Sequence, residues 1–165
     1  MYKLVGLPMT RASRVIWCFE ELGVEYEIDP AMPQSEAIRA VNPSGKVPAL
    51  IDGDDVVIDS VAICQYLADK HGAMTFPAGS IERAHMDSWI HFANDDVESP
   101  LWVWFKHERI LPEDQRVPNL LPTCAAEFER ALNAMDMRLG DNQYVMGDTF
   151  TVPDIIIGHC ANWAK

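Results

Sequence analysis

The spacing of hydrophobic and polar positions changes about halfway along this 165-residue chain. Up to residue 74, short apolar or alternating runs, typical of strands, are separated by segments with an apolar residue every third or fourth position, typical of helices. A stretch with the breakers Pro77 and Gly79 follows, and after it only helical spacing is convincing. The pattern therefore predicts an α/β region at residues 1–74 and an all-α region at residues 81–165.

The first region has the order strand, helix, strand, helix, strand, strand, helix. Its predicted strands are residues 2–6, 24–29, 47–51 and 56–58, and its predicted helices are residues 13–22, 35–41 and 60–70. A helix between the first two strands implies that they pair in parallel. The segment 52–55, with sequence DGDD, is typical of a hairpin turn, so the last two strands are expected to be antiparallel.

The second region is predicted to contain three helices, at residues 82–105, 123–139 and 151–165. Pro100 should kink or end the first of them, because proline has no N–H to donate. In the last helix, Thr151 and Asp154 have the spacing of a capping box, and Pro153 suits a first helical turn. The run at residues 155–157 is III, which makes this helix apolar on all sides. We therefore expect the last helix to be buried.

The chain is acidic, with 25 Asp and Glu residues against 13 Lys and Arg residues and a net charge of -12. This balance argues against a nucleic-acid partner, because binding to a polyanion depends on basic side chains that neutralise phosphates. It argues equally against an anionic membrane surface. No stretch approaches about 18 apolar residues, so a membrane-spanning helix is not expected. The first residues lack the long apolar core of a signal peptide.

The four cysteines are widely separated, and none forms a C-x-x-C pair. They are Cys18, Cys64, Cys124 and Cys160. Such spacing fits buried free thiols in a reducing compartment better than a disulfide framework or a zinc site. The five histidines show no ligand spacing on a common helix face, so no metal is expected. Together with the missing signal core, the cysteines predict a cytoplasmic protein.

Residues 42–50, with sequence NPSGKVPAL, place Pro48 where a strand should begin. A proline cannot donate to a sheet ladder, so it belongs at a strand start or edge. An X-Pro bond is also the only kind that adopts cis at low cost, and we predict a cis bond here. The backbone of Val47 would then stay open and could pair with a peptide-like ligand. The alternative is a strand-start proline without a function.

Asp59 and Ser60 stand at the entry of a predicted helix. The free N–H groups at such a position attract a carboxylate. The alternative is an ordinary N-cap, which these residue types favour in any case. Taken with the open backbone at Val47, the two segments suggest a small ligand with peptide character and anionic ends.

These two segments resemble the glutathione site of the glutathione transferase family. The capped last helix resembles the capping-box helix in the helical domain of the same family. The resemblance implies a thioredoxin-like N-terminal domain, an all-helical C-terminal domain and a homodimer. It also implies that the protein joins the thiol of glutathione, as co-substrate, to an electrophilic small molecule.

The resemblance also implies roles for individual residues. Val47, preceding Pro48, would offer its N–H and C=O to the cysteinyl part of glutathione. Ser60 would bind the γ-glutamyl carboxylate through its hydroxyl and amide. Asp59 would receive the ligand's ammonium group, in a position where the family usually has Glu or Gln. Lys46 would pair with the glycyl carboxylate, and a solvated lysine is the alternative.

Activation of the thiol is expected in the loop between the first strand and the first helix. A free thiol has a pKa of about 8.5, and lowering it by about 2 units takes about 2.7 kcal/mol. The family places Ser, Tyr or Cys here, four or five residues before a basic residue at the helix start. Counting back from Arg14 gives Thr10 or Met9, of which only Thr10 donates a hydrogen bond. Ser13 is the second choice, and Arg11 adds positive potential.

Other functions remain open at this stage. No cysteine lies in the activation loop, and Cys18 falls inside the following helix, which disfavours a cysteine-based thiol oxidoreductase. A glutathione transferase-like protein that binds or interacts without catalysis is the main rival, since fold does not fix function. An isomerase or dehalogenase that uses glutathione is a further alternative. The aromatic residues of the second region could line an electrophile pocket or simply form its core.

Overall fold

The structure is a computed structural model that describes residues 1–164. The chain divides into two compact units, one from Met1 to Arg83 and one that begins at Ala84. Each unit is described separately below. The first contains the whole sheet, and the second is helical throughout its described residues apart from turns and one isolated bridge between Tyr144 and Gly147.

The first unit alternates strands and helices in the predicted order. Its elements are β1 (Tyr2–Val5), α1 (Ala12–Leu22), β2 (Tyr26–Asp29), α2 (Glu36–Arg39), β3 (Ala49–Asp52), β4 (Asp55–Ile58) and α3 (Ser60–His71). The strands form one sheet in the order β2-β1-β3-β4. β1 and β2 are parallel and β3 and β4 are antiparallel, as the helix and hairpin signals predicted. β1 and β3 are also antiparallel, a pairing for which the sequence made no prediction. This is the expected α/β thioredoxin-like arrangement.

The third strand begins later than its sequence pattern predicts. It starts at Ala49 rather than at Val47. The reason is Pro48, which follows a cis peptide bond and has no N–H for the ladder. The prediction of a cis Val47–Pro48 bond is therefore confirmed, whereas the strand start at Val47 was wrong.

The register of the sheet brings three distant parts of the chain to one end of it. Val5 pairs with Ala49, and Ala49 pairs with Ile58. These three residues form one row across β1, β3 and β4. The residues just beyond that row are Gly6, Pro48 and Asp59, so the loop after β1, the start of β3 and the entry to α3 lie at the same edge.

One hydrophobic cluster stabilises this unit beneath that edge. Val5 and Ala49 pack with the fully buried Ile38 of α2 and with Ala31, all at 3 % exposure or less. Val47 packs against this cluster from its rim. The apolar side of α2 thus attaches the segment before β3 to the sheet.

Among the described residues, the second unit contains four α-helices, with π-helical segments at Ala93–Glu98 and Lys106–Ile110 and short 3-10 helices at Glu113–Gln115 and Pro118–Leu120. The α-helices are α4 (Ile81–Phe92, which begins in the first unit), α5 (Ser99–Phe105), α6 (Leu121–Leu139) and α7 (Val152–Trp163). The prediction of one helix over residues 82–105 was wrong in detail. A π-helical segment, Ala93–Glu98, interrupts it just before Pro100. Proline cannot donate a hydrogen bond to the carbonyl four residues earlier, and its ring clashes with that carbonyl. The wider π-helical turn removes the clash.

The capping box at the start of α7 is confirmed. The Asp154 carboxylate accepts from the Thr151 N–H at 2.8 Å, from the Thr151 hydroxyl at 2.9 Å and from the Val145 N–H at 2.9 Å. Ile155 and Ile156 are fully buried, as predicted, while the third isoleucine of the run is half-buried. Lys165, the last residue of the predicted helix, lies outside the described residues.

All four cysteines are free and buried, as their spacing predicted. Cys18 of α1 lies against Cys64 of α3, and its thiol donates to the Cys64 carbonyl at 3.9 Å. The contact with the Cys18 thiol, together with burial, raises the pKa of Cys64 well above its ordinary value. No helix within residues 1–164 has the length and apolar character needed to cross a bilayer.

A polar network lies at the other end of the sheet, next to the hairpin that joins β3 and β4. The Asp52 carboxylate accepts from the Tyr66 hydroxyl at 2.6 Å and from the Lys70 ammonium, which lies even closer. The Lys70 ammonium also donates to the Tyr66 hydroxyl at 2.9 Å. The hydrogen bond from Lys70, then that from Tyr66, hold the pKa of Asp52 below its ordinary value.

We predict that this network makes stability depend on pH. Because the folded pKa of Asp52 is depressed, its contribution is fully present above the unfolded value of about 3.9 and is lost as the pH falls through the folded pKa. Asp52→Asn should lower the melting temperature by a few degrees at pH 7. In thermal melts, its deficit relative to the wild type should shrink as the pH falls below 4.

Asp54→Asn is the matched control, since Asp54 is exposed at the tip of the same hairpin. It should leave the melting temperature unchanged at both pH values. A deficit of Asp52→Asn that is the same at pH 7 and pH 3 would contradict the role given to the carboxylate.

Candidate glutathione site

The residues predicted to bind or activate a ligand all lie in the first unit, around the edge defined by the row Val5–Ala49–Ile58. Gly6 shows how close the parts are. A Cβ added there would lie 3.2 Å from the Ala12 Cβ and 3.4 Å from the Val47 Cβ. With φ at 153°, Gly6 also adopts a backbone conformation that other residues rarely take. Glycine thus lets the activation loop and Val47 approach each other.

Val47 has the open backbone that the sequence predicted. Within residues 1–164, neither its N–H nor its C=O takes part in a hydrogen bond. The residue is half-buried, and Pro48 beyond it is buried. Unpaired main-chain groups away from bulk water are costly unless a partner arrives. Their presence at the sheet edge is therefore what a peptide-binding position requires.

The segment before Val47 is fixed by the buried Asn42. The Asn42 amide donates to the Lys46 carbonyl at 2.7 Å, and its side-chain oxygen accepts from the N–H and the hydroxyl of Ser44. Asn42 was part of the quoted motif, but no role was predicted for it. The sequence could have indicated this role, because Asn and Ser side chains commonly fix turns through such local hydrogen bonds. The Lys46 side chain itself is exposed and forms no ion pair with any described residue.

Asp59 caps α3, as its position predicted. Its Oδ1 accepts from the N–H of Val61 at 2.9 Å and of Ala62 at 3.3 Å. Its φ of 76° is unusual for a residue other than glycine. Within the described chain, Oδ2 accepts no hydrogen bond, so one carboxylate oxygen serves the helix and the other is open.

Ser60, the first residue of α3, is only 2 % exposed. The guanidinium of the buried Arg14 donates to its hydroxyl oxygen through Nη1 at 3.3 Å. A hydroxyl that accepts from an arginine keeps its own proton for another acceptor. The Ser60 N–H has no acceptor among residues 1–164. Ser60 therefore offers two donors, and an anion must fit closely against the helix N-terminus to use them.

The two candidate activating hydroxyls are already engaged in the loop. Thr10 donates its hydroxyl proton to the Leu7 carbonyl at 2.7 Å and accepts from the Ala12 N–H at 3.2 Å. Ser13 donates to the Thr10 carbonyl at 2.9 Å. Both are half-buried, and Arg11 is half-buried between them. The hydroxyls of Thr10 and Ser13 thus both donate to main-chain carbonyl groups of the loop.

Comparisons with known proteins identify the family to which the chain belongs. Residues 4–75 match the family model described as "Glutathione S-transferase, N-terminal domain". The chain is 30 % identical over 164 residues to glutathione S-transferase 3 of Zea mays, a match that covers 92 % of this chain and 73 % of the maize protein.

A further curated relative carries a different name. The chain is 29 % identical over 127 residues to probable elongation factor 1-gamma 2 of Arabidopsis thaliana. That match covers 74 % of this chain but only 30 % of the length of the Arabidopsis protein.

Among solved structures, the chain resembles the theta class glutathione S-transferase of Xanthomonas axonopodis pv. citri, which was crystallised with glutathione bound. The TM-score is 0.82 at 27 % sequence identity, and the match covers 99 % of this chain and 83 % of that one. With the family model and the maize relative, this shows that the chain belongs to the glutathione transferase family.

Proposed function

We propose that this protein is a glutathione transferase that joins the glutathione thiol to an electrophilic small molecule. One observation carries the proposal: the unpaired N–H and C=O of Val47 lie at the same sheet edge as the open donors of Ser60. Glutathione combines a peptide backbone with carboxylate ends, which matches both features. The bound glutathione in the Xanthomonas relative supports the choice of ligand.

Each binding residue has a role that its surroundings suit. Val47, held by Pro48, pairs with the cysteinyl backbone. Ser60 donates from its hydroxyl and N–H to the γ-glutamyl carboxylate, and Asp59 uses its open Oδ2 for the ammonium group. The exposed Lys46 pairs with the glycyl carboxylate. The contacts of Ser60, Asp59 and Lys46 involve ionised groups and are therefore stronger than the neutral backbone hydrogen bonds of Val47.

Thr10 is proposed as the main thiolate donor and Ser13 as the alternative. Donation requires the Thr10 hydroxyl to rotate away from the Leu7 carbonyl, which forfeits a neutral hydrogen bond worth about 0.5–1.5 kcal/mol. A hydrogen bond to a charged thiolate is worth about 1.5–3 kcal/mol, so the rotation is favourable once the thiolate is present. Arg11 and Arg14 add positive potential. The thiol proton is released to solvent, and the thiolate sulfur forms a C–S bond to the electrophilic carbon. With an aryl halide, the carbon–halogen bond breaks and the halide ion leaves with the electron pair.

A non-catalytic binding or interaction protein is the second candidate. The relative named elongation factor 1-gamma favours it, because that name describes no transferase. An isomerase or dehalogenase that uses glutathione would need the same thiolate and the same binding residues. Titration calorimetry with glutathione, followed by conjugation of a generic aryl halide, separates these cases. Binding with turnover supports the transferase, binding without turnover supports the second candidate, and no binding overturns both.

The resemblance to the family is also the basis for proposing a cytoplasmic homodimer. Light scattering across micromolar concentrations should give twice the mass of one chain, and a monomer mass throughout would contradict it.

We predict that Ser60→Ala weakens glutathione binding by about 1–3 kcal/mol, because a charge-assisted hydrogen bond to the γ-glutamyl carboxylate is lost. Calorimetry measures the effect. Ser35→Ala is the matched control in the same unit, since the Ser35 hydroxyl has no hydrogen-bond partner among the described residues. An affinity of Ser60→Ala equal to that of the control would count against the assigned role.

We also predict that bound glutathione is deprotonated well below its solution pKa and that Thr10→Val raises that bound pKa by about 1–2 units, the equivalent of one charged hydrogen bond. Thiolate absorbance in the ultraviolet, followed against pH, reports the value. Ser13→Ala should have a smaller effect, and Thr149→Val, at an exposed position, should have none. Unchanged values in both loop variants would leave the arginines or backbone amides as the activating groups.

A further inference from the structure

One side chain from a different loop lies across the turn that leads to Lys46. Gln34 donates from Nε2 to the Ser44 carbonyl at 3.2 Å and to the Gly45 carbonyl at 3.3 Å. Its own N–H donates to the Gly45 carbonyl at 2.8 Å. Gly45 is buried although Gln34 is exposed, and a Cβ added at Gly45 would lie 2.6 Å from the Gln34 Oε1. The amide thus covers the turn closely.

Gln34 is itself held from the far side by Arg39. The Arg39 guanidinium donates to the Gln34 Oε1 at close range and to the Gln34 carbonyl through Nε at 3.3 Å. Arg39 ends α2, whose Ile38 is fully buried in the core beneath the site. The Gln34 amide is therefore positioned by an element anchored in the core.

The turn at residues 44–46 is consequently fixed from two sides. Asn42 holds the Lys46 carbonyl and Ser44 from the chain that precedes the turn. Gln34 holds the carbonyls of Ser44 and Gly45 from another loop. The next residues are Lys46 and Val47, which carry the proposed contacts to the glycyl carboxylate and the cysteinyl backbone.

We propose that Gln34 is a positioning residue for glutathione, one that fixes the turn from which Lys46 and Val47 reach the ligand. This inference rests on the proposed function, because it takes glutathione as the ligand. Gln34 itself need not touch the ligand. Because the turn is already ordered in the free protein, less conformational entropy is lost when the ligand binds.

The position of Gln34 determines which kinetic parameter should change. The activating loop follows β1 and lies between Gly6 and Ala12. The Gln34 side chain hydrogen-bonds instead to Arg39 and to the 44–45 turn. Removing its side chain should therefore raise the KM for glutathione and spare both kcat and the KM for the electrophile. A residue that served stability alone would lower the melting temperature without this selective change.

The test uses the full chain and the variant Gln34→Gly. Glycine tolerates the φ of 68° at this position and retains the main-chain hydrogen bond to Gly45, so only the side chain is removed. We expect the KM for glutathione to rise about 5- to 10-fold, the effect of losing one or two hydrogen bonds. Hydrogen exchange in the segment 42–47 should become faster. Met32→Ala, at an exposed position of the same loop, is the control and should change neither quantity.

A second variant separates the amide donors from the contact with Arg39. Gln34→Glu keeps an acceptor for the guanidinium but has no N–H to donate to the Ser44 and Gly45 carbonyls. It should raise the KM for glutathione at least as much as Gln34→Gly. A KM equal to that of the wild type would show that the amide does not position the turn.

The outcomes distinguish this inference from the function on which it rests. If the wild type binds and conjugates glutathione but Gln34→Gly has an unchanged KM, or an unchanged exchange rate, only the positioning role fails. An equal loss in kcat and in both KM values also overturns it. If the wild type neither binds nor conjugates glutathione, the proposed function fails and this inference fails with it. Should the wild type bind without turnover, the dissociation constant replaces KM as the measured quantity.

Discussion

The candidate site depends on the row of paired residues Val5, Ala49 and Ile58 and on the proline that ends the ladder beyond it. A strand normally continues its hydrogen bonds until the chain turns away. Here Pro48 cannot donate, so the ladder stops at Ala49. The backbone N–H and C=O of Val47 have no partner among residues 1–164. The sheet thus creates a short unsatisfied edge where a peptide can complete it, in the manner of strand addition.

Only some of the backbone N–H groups at the N-terminus of α3, beside this edge, have acceptors. The remaining groups are donors for an anion. Asp59 uses one carboxylate oxygen for the amides of Val61 and Ala62, which leaves the first amide of α3 and the Ser60 hydroxyl for an anion. The protein carries a net charge of -12, so long-range attraction does not favour an anionic ligand. At physiological salt, charges are screened beyond about 8 Å. Recognition must therefore come from short-range donors such as these.

The order of elements, the cis bond before Pro48 and the cap of α3 could be predicted because they depend on local signals. The binding roles of these residues stay predictions. Pro48, the DGDD turn, and the acid and hydroxyl at residues 59–60 each have a physical reason visible in a few neighbouring letters. The contributions of Gly6 and Gln34 could not be found in this way. Gly6 matters because three elements converge on it, and Gln34 because it covers a turn ten residues along the chain. Both facts belong to the tertiary structure. The π-helical segment before Pro100 was also missed. The sequence shows that a proline disturbs the helix, but not which backbone conformation accommodates it.

In the proposed function, the reacting thiol comes from the ligand and not from a cysteine of the first unit. Cys18 and Cys64 lie in the same unit as the site, yet both are fully buried, and the pKa of Cys64 is raised by its contact with Cys18 and by burial. A thiolate is therefore disfavoured there. In the activation loop, Thr10 and Ser13 direct their hydroxyl protons at neutral carbonyls. A thiolate is a stronger acceptor than a carbonyl, so these donors become available when an ionised thiol is delivered beside them. In the proposed function, the bound thiolate supplies the charge that turns the Thr10 hydroxyl toward it, so that binding and activation would occur together.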